Sequence, residues 1–181
     1  MANGHSGRAQ SAANAGGLHT GPEHALQSAA SLRAARMADL PELVRLEAQF
    51  PGDRLSPRQL RHHLGSPRAV WQVLALPDGR LLGYLLVLSH AQRVAARLYS
   101  LVIDLELRGQ GLAARLLEAV ERQLGQQGVP ALRLEVREDN AAAIGLYHRR
   151  GFRLLGRKPG YYQDGAAALC MQLVLSAPGP E

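Results

Sequence analysis

The chain has 181 residues, of which 46% are hydrophobic, and this suits one domain with its own core plus an extension. Its formal net charge is +6, and Lys158 is the only lysine among the 21 cationic residues. No apolar run approaches the roughly 18 residues that a membrane-spanning helix needs, and the first residues lack the apolar segment of a secretory signal. The single cysteine, Cys170, excludes a disulfide framework and favours a reducing, cytoplasmic location.

The positive charge has two interpretations. A basic surface attracts polyanions such as nucleic acid or a phosphorylated cofactor. The arginines are scattered along the chain, however, and Phe and Trp are scarce. No nucleic-acid-binding motif is visible. A solvated arginine-rich surface is therefore the simpler interpretation, with no direct nucleic-acid partner and no membrane.

The chain divides into a predicted disordered leader over residues 1–30, a domain over 31–177 and a short tail over 178–181. The leader is rich in Gly, Ala, Ser and Asn and has no apolar period. The domain begins with a short strand, followed by two helices with Asp39 and Ser56 as N-caps. A hairpin and a further strand come next, over residues 69–76, 80–89 and 97–104.

The second half of the domain alternates between helix and strand. Apolar residues at helical spacing predict a helix over 111–124, and a strict alternation predicts a strand over 131–137. A short helix over 140–150 and two closing strands complete the order β-α-α-β-β-β-α-β-α-β-β. The strand–helix–strand unit requires a parallel pair, so the sequence predicts a mixed α/β fold.

The stretch Arg108-Gly109-Gln110-Gly111 lies between a strand and a helix. Free N–H groups at a helix start and the helix dipole favour an anion there, and glycine lets a phosphate approach the backbone. A plain strand-to-helix turn is one alternative. A dinucleotide fingerprint is another, since Gly109, Gly111 and Ala114 fit G-x-G-x-x-A, but that motif normally opens a longer parallel sheet.

Residues 108–113 also match the [Q/R]-x-x-G-x-[G/A] signature of the GNAT acyltransferases, and LEVREDNAAAIGLYHRRGF over 134–152 resembles a segment of the RimI-type ribosomal-protein alanine N-terminal acetyltransferases. The resemblance covers roughly residues 31–175. It implies a GNAT fold, in which a mixed sheet of about seven strands has a parallel pair at the acetyl-CoA site and is flanked by about four helices.

The resemblance also implies how acetyl-CoA is bound. After a bulge in the preceding strand, the backbone of Leu101, Val102 and Ile103 would pair with the pantetheine arm. The pyrophosphate would lie on the backbone of the following loop and helix start, formed by Arg108, Gly109, Gln110, Gly111, Leu112, Ala113 and Ala114. Asn140 would bond the pantetheine, and together with Asp139 it can also cap its own helix, since the two roles are compatible. Leu105 departs from the proline that the family commonly has after the aspartate, here Asp104.

Two residues match catalytic positions of the RimI type. Glu135 would be the general base that takes a proton from the amine, and Tyr147 the acid that protonates the departing thiolate. Each has a structural alternative, because Glu135 could be a salt-bridged strand residue and Tyr147 could belong to the core. Cys170 is expected to be a buried strand residue. No metal site is expected.

Tyr161 and Tyr162 resemble the tyrosine pair that holds the acceptor's first residues in N-terminal acetyltransferases, and residues 50–57 correspond to the opposite wall of that site. The resemblance therefore implies a protein or peptide α-amine as acceptor, with ribosomal proteins among the candidates. A lysine side chain or small amine remains an alternative, as does a non-catalytic CoA-binding module.

Overall fold

In a computed structural model of the chain, the described residues are 28–50, 54–89 and 94–175, together with the backbone of residues 8–9. They form eight strands, β1 Arg8–Ala9, β2 Ser31–Arg33, β3 Ala69–Ala75, β4 Leu81–Leu88, β5 Ala96–Ile103, β6 Ala131–Arg137, β7 Arg153–Lys158 and β8 Ala168–Val174. The α-helices are α1 Leu40–Ala48, α2 Pro57–Leu64, α3 Leu112–Gln126 and α4 Ala141–Arg149, and Met37–Asp39 and Leu105–Leu107 are 3-10 helices.

The strands form one mixed sheet in the order β2-β3-β4-β5-β6-β8-β7. Neighbours along this order are antiparallel except β5 and β6, which are parallel and are connected through α3. The predicted mixed sheet with a parallel pair is therefore confirmed. None of the helices formed by the described residues is long and apolar enough to cross a membrane.

The start of the predicted domain lies in β2, whereas residues 176–181 and most of the predicted leader lie outside the described residues. Within that leader, the backbone of β1 pairs in parallel with Ser100 and Leu101 of β5. Ala30 is already part of the core. The boundaries at 30 and 177 stay predictions.

Helices cover both faces of the sheet. On one face, α3 and α4 pack through the apolar positions that the helical spacing predicts, including Leu116, Leu117, Val120 and Leu124. On the other face, Leu43 and Leu46 of α1 and Leu60 of α2 pack against a second cluster that includes Trp71 and Tyr84. This two-sided burial explains the near-continuous apolar sequence of β4 and β5.

One predicted helix cap is confirmed and the other is wrong. Ser56 and Gln59 form a capping box at the start of α2, as predicted. The Asp39 side chain does not cap α1; it accepts a hydrogen bond from the Arg36 N–H at 2.7 Å and pairs with the Arg33 guanidinium at 2.7 Å. Asp39 therefore closes the turn before the helix, because a nearby cation competes for its carboxylate.

Strands β5 and β6 pair at one end and then separate. The described ladder joins Ala96 to Leu132 and Arg97 to Arg133. Just beyond, Ser100 pairs with Leu86 and Leu98 with Val87, so Tyr99 is the extra residue of a β-bulge. A bulge bends its strand and increases the local twist. The bulge that the family resemblance implies is therefore present at the point where β5 leaves β6.

The turn after β5 depends on a buried carboxylate and on the residue that replaces the family's proline. Asp104, whose side chain is 2% exposed, bonds the Arg45 guanidinium of α1 at 2.8 Å. The Leu105 N–H donates to Gln49 Oε1 at 2.9 Å, a bond that a proline could not make. These two bonds attach the turn to α1, so the departure at Leu105 is compatible with an ordered loop.

We expect Gly83→Ala to destabilise the protein. A Cβ at Gly83 of β4 would lie 2.6 Å from Ile103 Cδ1 and 2.7 Å from the Val102 carbonyl oxygen. Overpacking of this kind costs about 1–3 kcal/mol of unfolding free energy. A lower urea midpoint would report the loss. The matched control is Gly156→Ala, where a Cβ would meet nothing within 4 Å. Equal midpoints for the two variants would contradict the packing described here.

A second prediction concerns acid stability. Burial by itself raises the pKa of Asp104. The hydrogen bonds from Arg45, the Glu106 N–H and Gln49, together with the charge of Arg45, outweigh this effect, so the pKa is lowered overall. The resulting stabilisation is full above the unfolded pKa of about 3.9 and disappears as the pH falls through the folded value. Asp104→Asn should therefore cost about 1–3 kcal/mol at pH 7, and the difference from the wild type should shrink below about pH 4.

Urea unfolding at a series of pH values would measure this difference. Glu106→Gln is the control, because Glu106 is 84% exposed and lies 3.9 Å from Arg80, so its loss should change stability by less than about 0.5 kcal/mol. A pH-independent difference for Asp104→Asn would show that the ion pair is not the source of the stabilisation.

Candidate functional site

The loop after β5 has the backbone of an anion site. Gly109 and Gly111 have φ angles of 77° and 79°, in the left-handed region that favours glycine. Gly111 is the N-cap of α3, and the first helical bond runs from the Arg115 N–H to the Gly111 carbonyl. The N–H groups of Leu112, Ala113 and Ala114 consequently have no acceptor inside the helix. The glycines are required here by the backbone conformation.

The Arg108 side chain contacts Phe50, which follows α1. Its guanidinium stacks over the Phe50 ring at 4.5 Å, at the end of the segment that follows α1. Cation–π contacts of this type contribute about 0.5–1 kcal/mol at exposed sites and more where water is excluded. In this structure, Arg108 therefore attaches the loop to the α1 side of the sheet.

The β5 segment predicted to pair with the pantetheine is fully buried. Leu101, Val102 and Ile103 are at most 2% exposed and their side chains alternate between the two core clusters. The backbone of Arg8–Ala9 lies alongside Ser100 and Leu101. The β5 edge at the bulge therefore accepts an extended chain, which is the property that pantetheine pairing needs.

Tyr147 of α4 is 0% exposed and packs edge-on against Phe152 at 5.3 Å. Its hydroxyl has no hydrogen-bond partner among the described residues. Burial, with a smaller contribution from Tyr162, raises the pKa of this phenol well above its ordinary value. A buried hydroxyl without a partner costs about 1–3 kcal/mol, so a bound group that accepts its proton would be favoured here.

Asn140 is the N-cap of α4. Its Oδ1 accepts a hydrogen bond from the Ala143 N–H at 3.2 Å. The alternative role that the sequence allowed for Asn140 is therefore present in the structure. Its predicted contact with the pantetheine stays a prediction.

Glu135 of β6 lies between two cations. Its Oε2 accepts from Arg97 Nε at 3.0 Å and its Oε1 accepts from Lys158 Nζ at 3.0 Å. The side chain is 14% exposed. The salt-bridged alternative is thus present, and each carboxylate oxygen keeps a further lone pair that could accept from an incoming amine or water.

Tyr161 belongs to the same cluster and Tyr162 is directed into the core. The Tyr161 hydroxyl accepts from the Arg97 guanidinium at 3.0 Å, and Lys158 Nζ lies 5.3 Å from the Tyr161 ring centroid. Tyr162 packs edge-on against Tyr161 at 5.3 Å and is 6% exposed. The structure therefore places Tyr161 beside Glu135 through Arg97 and Lys158, and Tyr162 packs against the Tyr161 ring. We call Arg97, Glu135, Lys158 and Tyr161 the Glu135 cluster.

Arg97 and Lys158 were missed by the sequence reasoning. Arg97 is one of many scattered arginines, and only the parallel pairing of β5 with β6 places it beside Glu135. Lys158 could have been singled out from the sequence, because it is the only lysine in a chain that otherwise uses arginine.

A second buried polar group was also missed. Glu47 of α1 accepts from the Leu55 N–H at 2.8 Å and bonds the Tyr84 hydroxyl, which in turn lies 2.9 Å from Ser100 Oγ beside the bulge. This chain of bonds joins the end of α1 and the start of the next segment to β5. Residues 51–53, at the centre of the predicted acceptor wall, lie outside the described residues.

The side chains of the described residues form no group of three or more His, Cys, Asp or Glu that could hold a metal ion. Cys170 is half-buried and lies opposite Glu135 in the β6–β8 ladder.

Comparison with known proteins gives relatives that match part of the chain. Over 84 residues, the chain is 40% identical to the ribosomal protein bS18-alanine N-acetyltransferase of Escherichia coli strain K12, covering 45% of this chain and 57% of that protein. Over 139 residues, it is 33% identical to the uncharacterized protein ML0378 of Mycobacterium leprae, covering 75% of this chain. The chain thus spans 38% and 57% of the lengths of these two relatives.

Solved structures agree on the fold. The crystal structure of the ribosomal-protein-S18-alanine N-acetyltransferase from Escherichia coli superposes with a TM-score of 0.75 at 28% identity, over 84% of this chain and 97% of that one. The structure of Ard1 from Thermoplasma volcanium, at 23% identity and a TM-score of 0.73, supports the fold alone over 81% of this chain and 98% of that one. A model of the acetyltransferase (GNAT) family matches residues 37–152. The chain belongs to this family, as its motifs predicted.

Proposed function

We propose that this chain is an acetyl-CoA-dependent N-acetyltransferase that acetylates the α-amine of a protein N-terminus, with a ribosomal protein among the candidate acceptors. The observation that carries the proposal is the separation of β5 from β6. It opens the sheet between the glycine loop that follows β5 and Glu135 on β6. Membership of an acetyltransferase family supports acetyl-CoA as the cosubstrate.

The residues present fit acetyl-CoA. The N–H groups of Leu112, Ala113 and Ala114 and the dipole of α3 favour a phosphate at the helix start. The β5 backbone over Leu101, Val102 and Ile103 would pair with the extended pantetheine. The Tyr147 hydroxyl, buried and without a partner among the described residues, can donate a hydrogen bond to the sulfur. When bound, acetyl-CoA supplies an acetyl group activated as a thioester.

Glu135 and Tyr147 have complementary tasks in direct transfer. An ammonium must lose a proton before it can attack, and Glu135 accepts that proton directly or through water. In direct transfer the amine takes the place of Lys158 at Oε1, while Arg97 holds Oε2. In transfer through water, the water uses a remaining lone pair of the carboxylate. As the new C–N bond forms and the C–S bond breaks, the Tyr147 hydroxyl donates to the sulfur.

The raised pKa of Tyr147 determines how its hydroxyl can assist the departure of the CoA sulfur. Burial keeps the phenol protonated at neutral pH, so its proton is available. Full transfer to a thiolate of pKa about 8.5 is opposed by that same burial, because a buried phenolate is costly. Tyr147 therefore acts most effectively by stabilising the charge that develops on sulfur through a hydrogen bond.

Two observations bear on the acceptor. Tyr161 belongs to the Glu135 cluster, where it can contact the first residues of a peptide. A relative covering part of the chain is named as an alanine N-acetyltransferase of a ribosomal protein. Both favour a protein α-amine, and such an acceptor would place the reaction in the cytoplasm.

One observation favours a second candidate acceptor, a lysine side chain or a small amine. Lys158 Nζ already lies 3.0 Å from Glu135 Oε1, so an ammonium on a flexible alkyl chain fits this position.

A mass-spectrometric assay distinguishes these acceptors. The protein is mixed with acetyl-CoA and peptides that start with Ala, Ser or Met, each with one internal lysine. We expect the acetyl group on the α-amine, and the preferred first residue identifies the substrate class. Labelling of internal lysine alone would select the second candidate. No labelling of any peptide, with acetyl-CoA binding shown by calorimetry, would leave a small-amine acetyltransferase or a CoA-binding module and overturn the proposal.

Glu135→Gln should lower kcat by about 10²–10⁴-fold with little change in acetyl-CoA affinity, because the amide cannot accept the proton. The control is Glu118→Gln, at a site 57% exposed on α3 and paired only with Arg122 among the described ion pairs. An unchanged kcat for Glu135→Gln in the peptide assay would remove Glu135 from the base role.

Tyr147→Phe should lower kcat by about 10²-fold and leave stability equal or higher, because it removes a buried hydroxyl that has no partner. Tyr84→Phe is the matched control. Its hydroxyl is bonded to Glu47 and Ser100, so stability should fall by about 1–2 kcal/mol. Urea midpoints and kcat measured on both variants test this, and a Tyr147→Phe enzyme with normal kcat would assign Tyr147 to packing alone.

Gly111→Val should weaken acetyl-CoA binding by at least about 10-fold, since it blocks the approach of a phosphate and strains the backbone. Gly128→Val is the control, because Gly128 at the other end of α3 also has a positive φ, of 70°. Both variants should lose similar stability, and calorimetry should find weaker acetyl-CoA binding only for Gly111→Val. Equal affinities would refute the role of the loop.

A further inference from the structure

Lys158 is placed as an acceptor amine would be. It is the last residue of β7, its side chain is 50% exposed, and its Nζ lies 3.0 Å from Glu135 Oε1. A base must come within hydrogen-bond distance of the proton that it removes, and Lys158 Nζ already satisfies this condition. The hydrogen bond from Lys158 to Glu135 raises the pKa of the lysine, so Lys158 is an ammonium like the substrate before attack.

The side chain of Lys158 has open space beside it on the face of the sheet that carries Glu135. Glu135 and Gly156 both pair with Cys170, so Gly156 lies in the same row across the sheet. Lys158, two residues further along β7, is on the same face as Gly156. A Cβ at Gly156 would meet nothing within 4 Å, so this row of the strand has open space above it. The alkyl chain of Lys158 can move there without displacing another side chain of β7.

The other basic group of the cluster cannot play this part. Arg97 bonds the second oxygen of Glu135, but a guanidinium stays protonated in proteins and is not a nucleophile. Lys158 is the only lysine in the chain, so it is the only side chain that carries an acylable primary amine.

We propose that Lys158 is a self-acetylation site, at which the enzyme transfers an acetyl group from bound acetyl-CoA to its own side chain. The inference rests on the proposed function, because it uses Glu135 as the base.

The step balances in atoms and protons. One proton leaves the Lys158 ammonium for the Glu135 carboxylate, and the neutral Nζ attacks the thioester carbonyl carbon. The C–N bond forms and the C–S bond breaks with its electron pair on sulfur. The attacking nitrogen loses its second proton as the amide forms, the thiolate takes up one proton, and the proton held by Glu135 passes to solvent. The products are acetyl-Lys158 and CoA. No oxidant or reductant is involved.

The modification would change the Glu135 cluster. Acetylation removes the positive charge of Lys158 and its ion pair with Glu135. Arg97 then remains as the cation paired with Glu135 among the described residues, and Oε1 becomes available to an incoming amine. The first acetyl group would therefore open the site for the acceptor that follows.

Intact-mass and peptide-mapping spectrometry of the purified protein with acetyl-CoA tests the inference. We expect one acetyl group on Lys158, with a rate independent of protein concentration and about 10²-fold above that of the urea-unfolded chain. Lys158→Arg should take up none at this position. Glu118→Gln should label like the wild type and Glu135→Gln should label at least about 10-fold more slowly. Cys170→Ser should still be labelled, because the thiol opposite Glu135 is not the first acceptor.

The outcomes separate this inference from the proposed function. If peptides are acetylated while Lys158 stays unmodified, the self-acetylation is overturned and the proposed function stands. If neither is acetylated although calorimetry shows acetyl-CoA binding, the proposed function fails and this inference with it. Equal labelling of Glu135→Gln and wild type, or of the native and unfolded chains, would assign the modification to simple chemical reactivity and overturn the inference. Loss of labelling in Cys170→Ser would overturn direct attack by Lys158.

Discussion

The separation of β5 from β6 is the constraint on which the rest of this structure depends. Parallel strands normally pair along their whole length, and a buried strand edge left without a partner is costly. Here the bulge at Tyr99 turns β5 away after the pairs at Ala96 and Arg97. The edge of β5 that is no longer paired with β6 can bond an extended chain. The backbone of Arg8–Ala9 lies on this edge at Ser100 and Leu101. A ligand with alternating donors and acceptors, such as pantetheine, suits the same edge.

The electrostatics of the site follow from that opening. The Glu135 cluster combines Arg97 from β5, Glu135 from β6, Lys158 from β7 and Tyr161 from the loop after β7. These residues meet because β5 pairs with β6, and β8 lies between β6 and β7 in the sheet. Ion pairs of partly exposed groups contribute little to the free energy of unfolding. Their importance here lies in the hydrogen bonds at Glu135, since each cation occupies one carboxylate oxygen. An amine that displaced Lys158 would take over its hydrogen bond to Oε1.

The sequence predicted the elements well because each is marked by local chemistry. The apolar spacing of α3, the alternation of β6 and the capping box at Ser56 each depend on residues close together in the chain. Asp39 was misassigned because a tertiary ion pair with Arg33 competes for its carboxylate. The structure contains the local role of both Glu135 and Asn140: an ion pair and a helix cap. The cap uses only Oδ1 of Asn140, so it is compatible with the role that the family motif implies. Their contacts with ligands stay predictions.

By itself, the sequence determined the family, the mixed fold and the glycine loop at the start of α3, because glycine spacing, helix starts and strand alternation are properties of short segments. Only the tertiary structure decided which charges surround Glu135, that the Tyr147 hydroxyl is buried without a partner among the described residues, and that Glu47, Tyr84 and Ser100 connect α1 to the bulge. These depend on residues tens of positions apart, whose approach is set by strand order and burial. No local pattern encodes such distances, since the same arginine or tyrosine on another strand would have the same sequence neighbours.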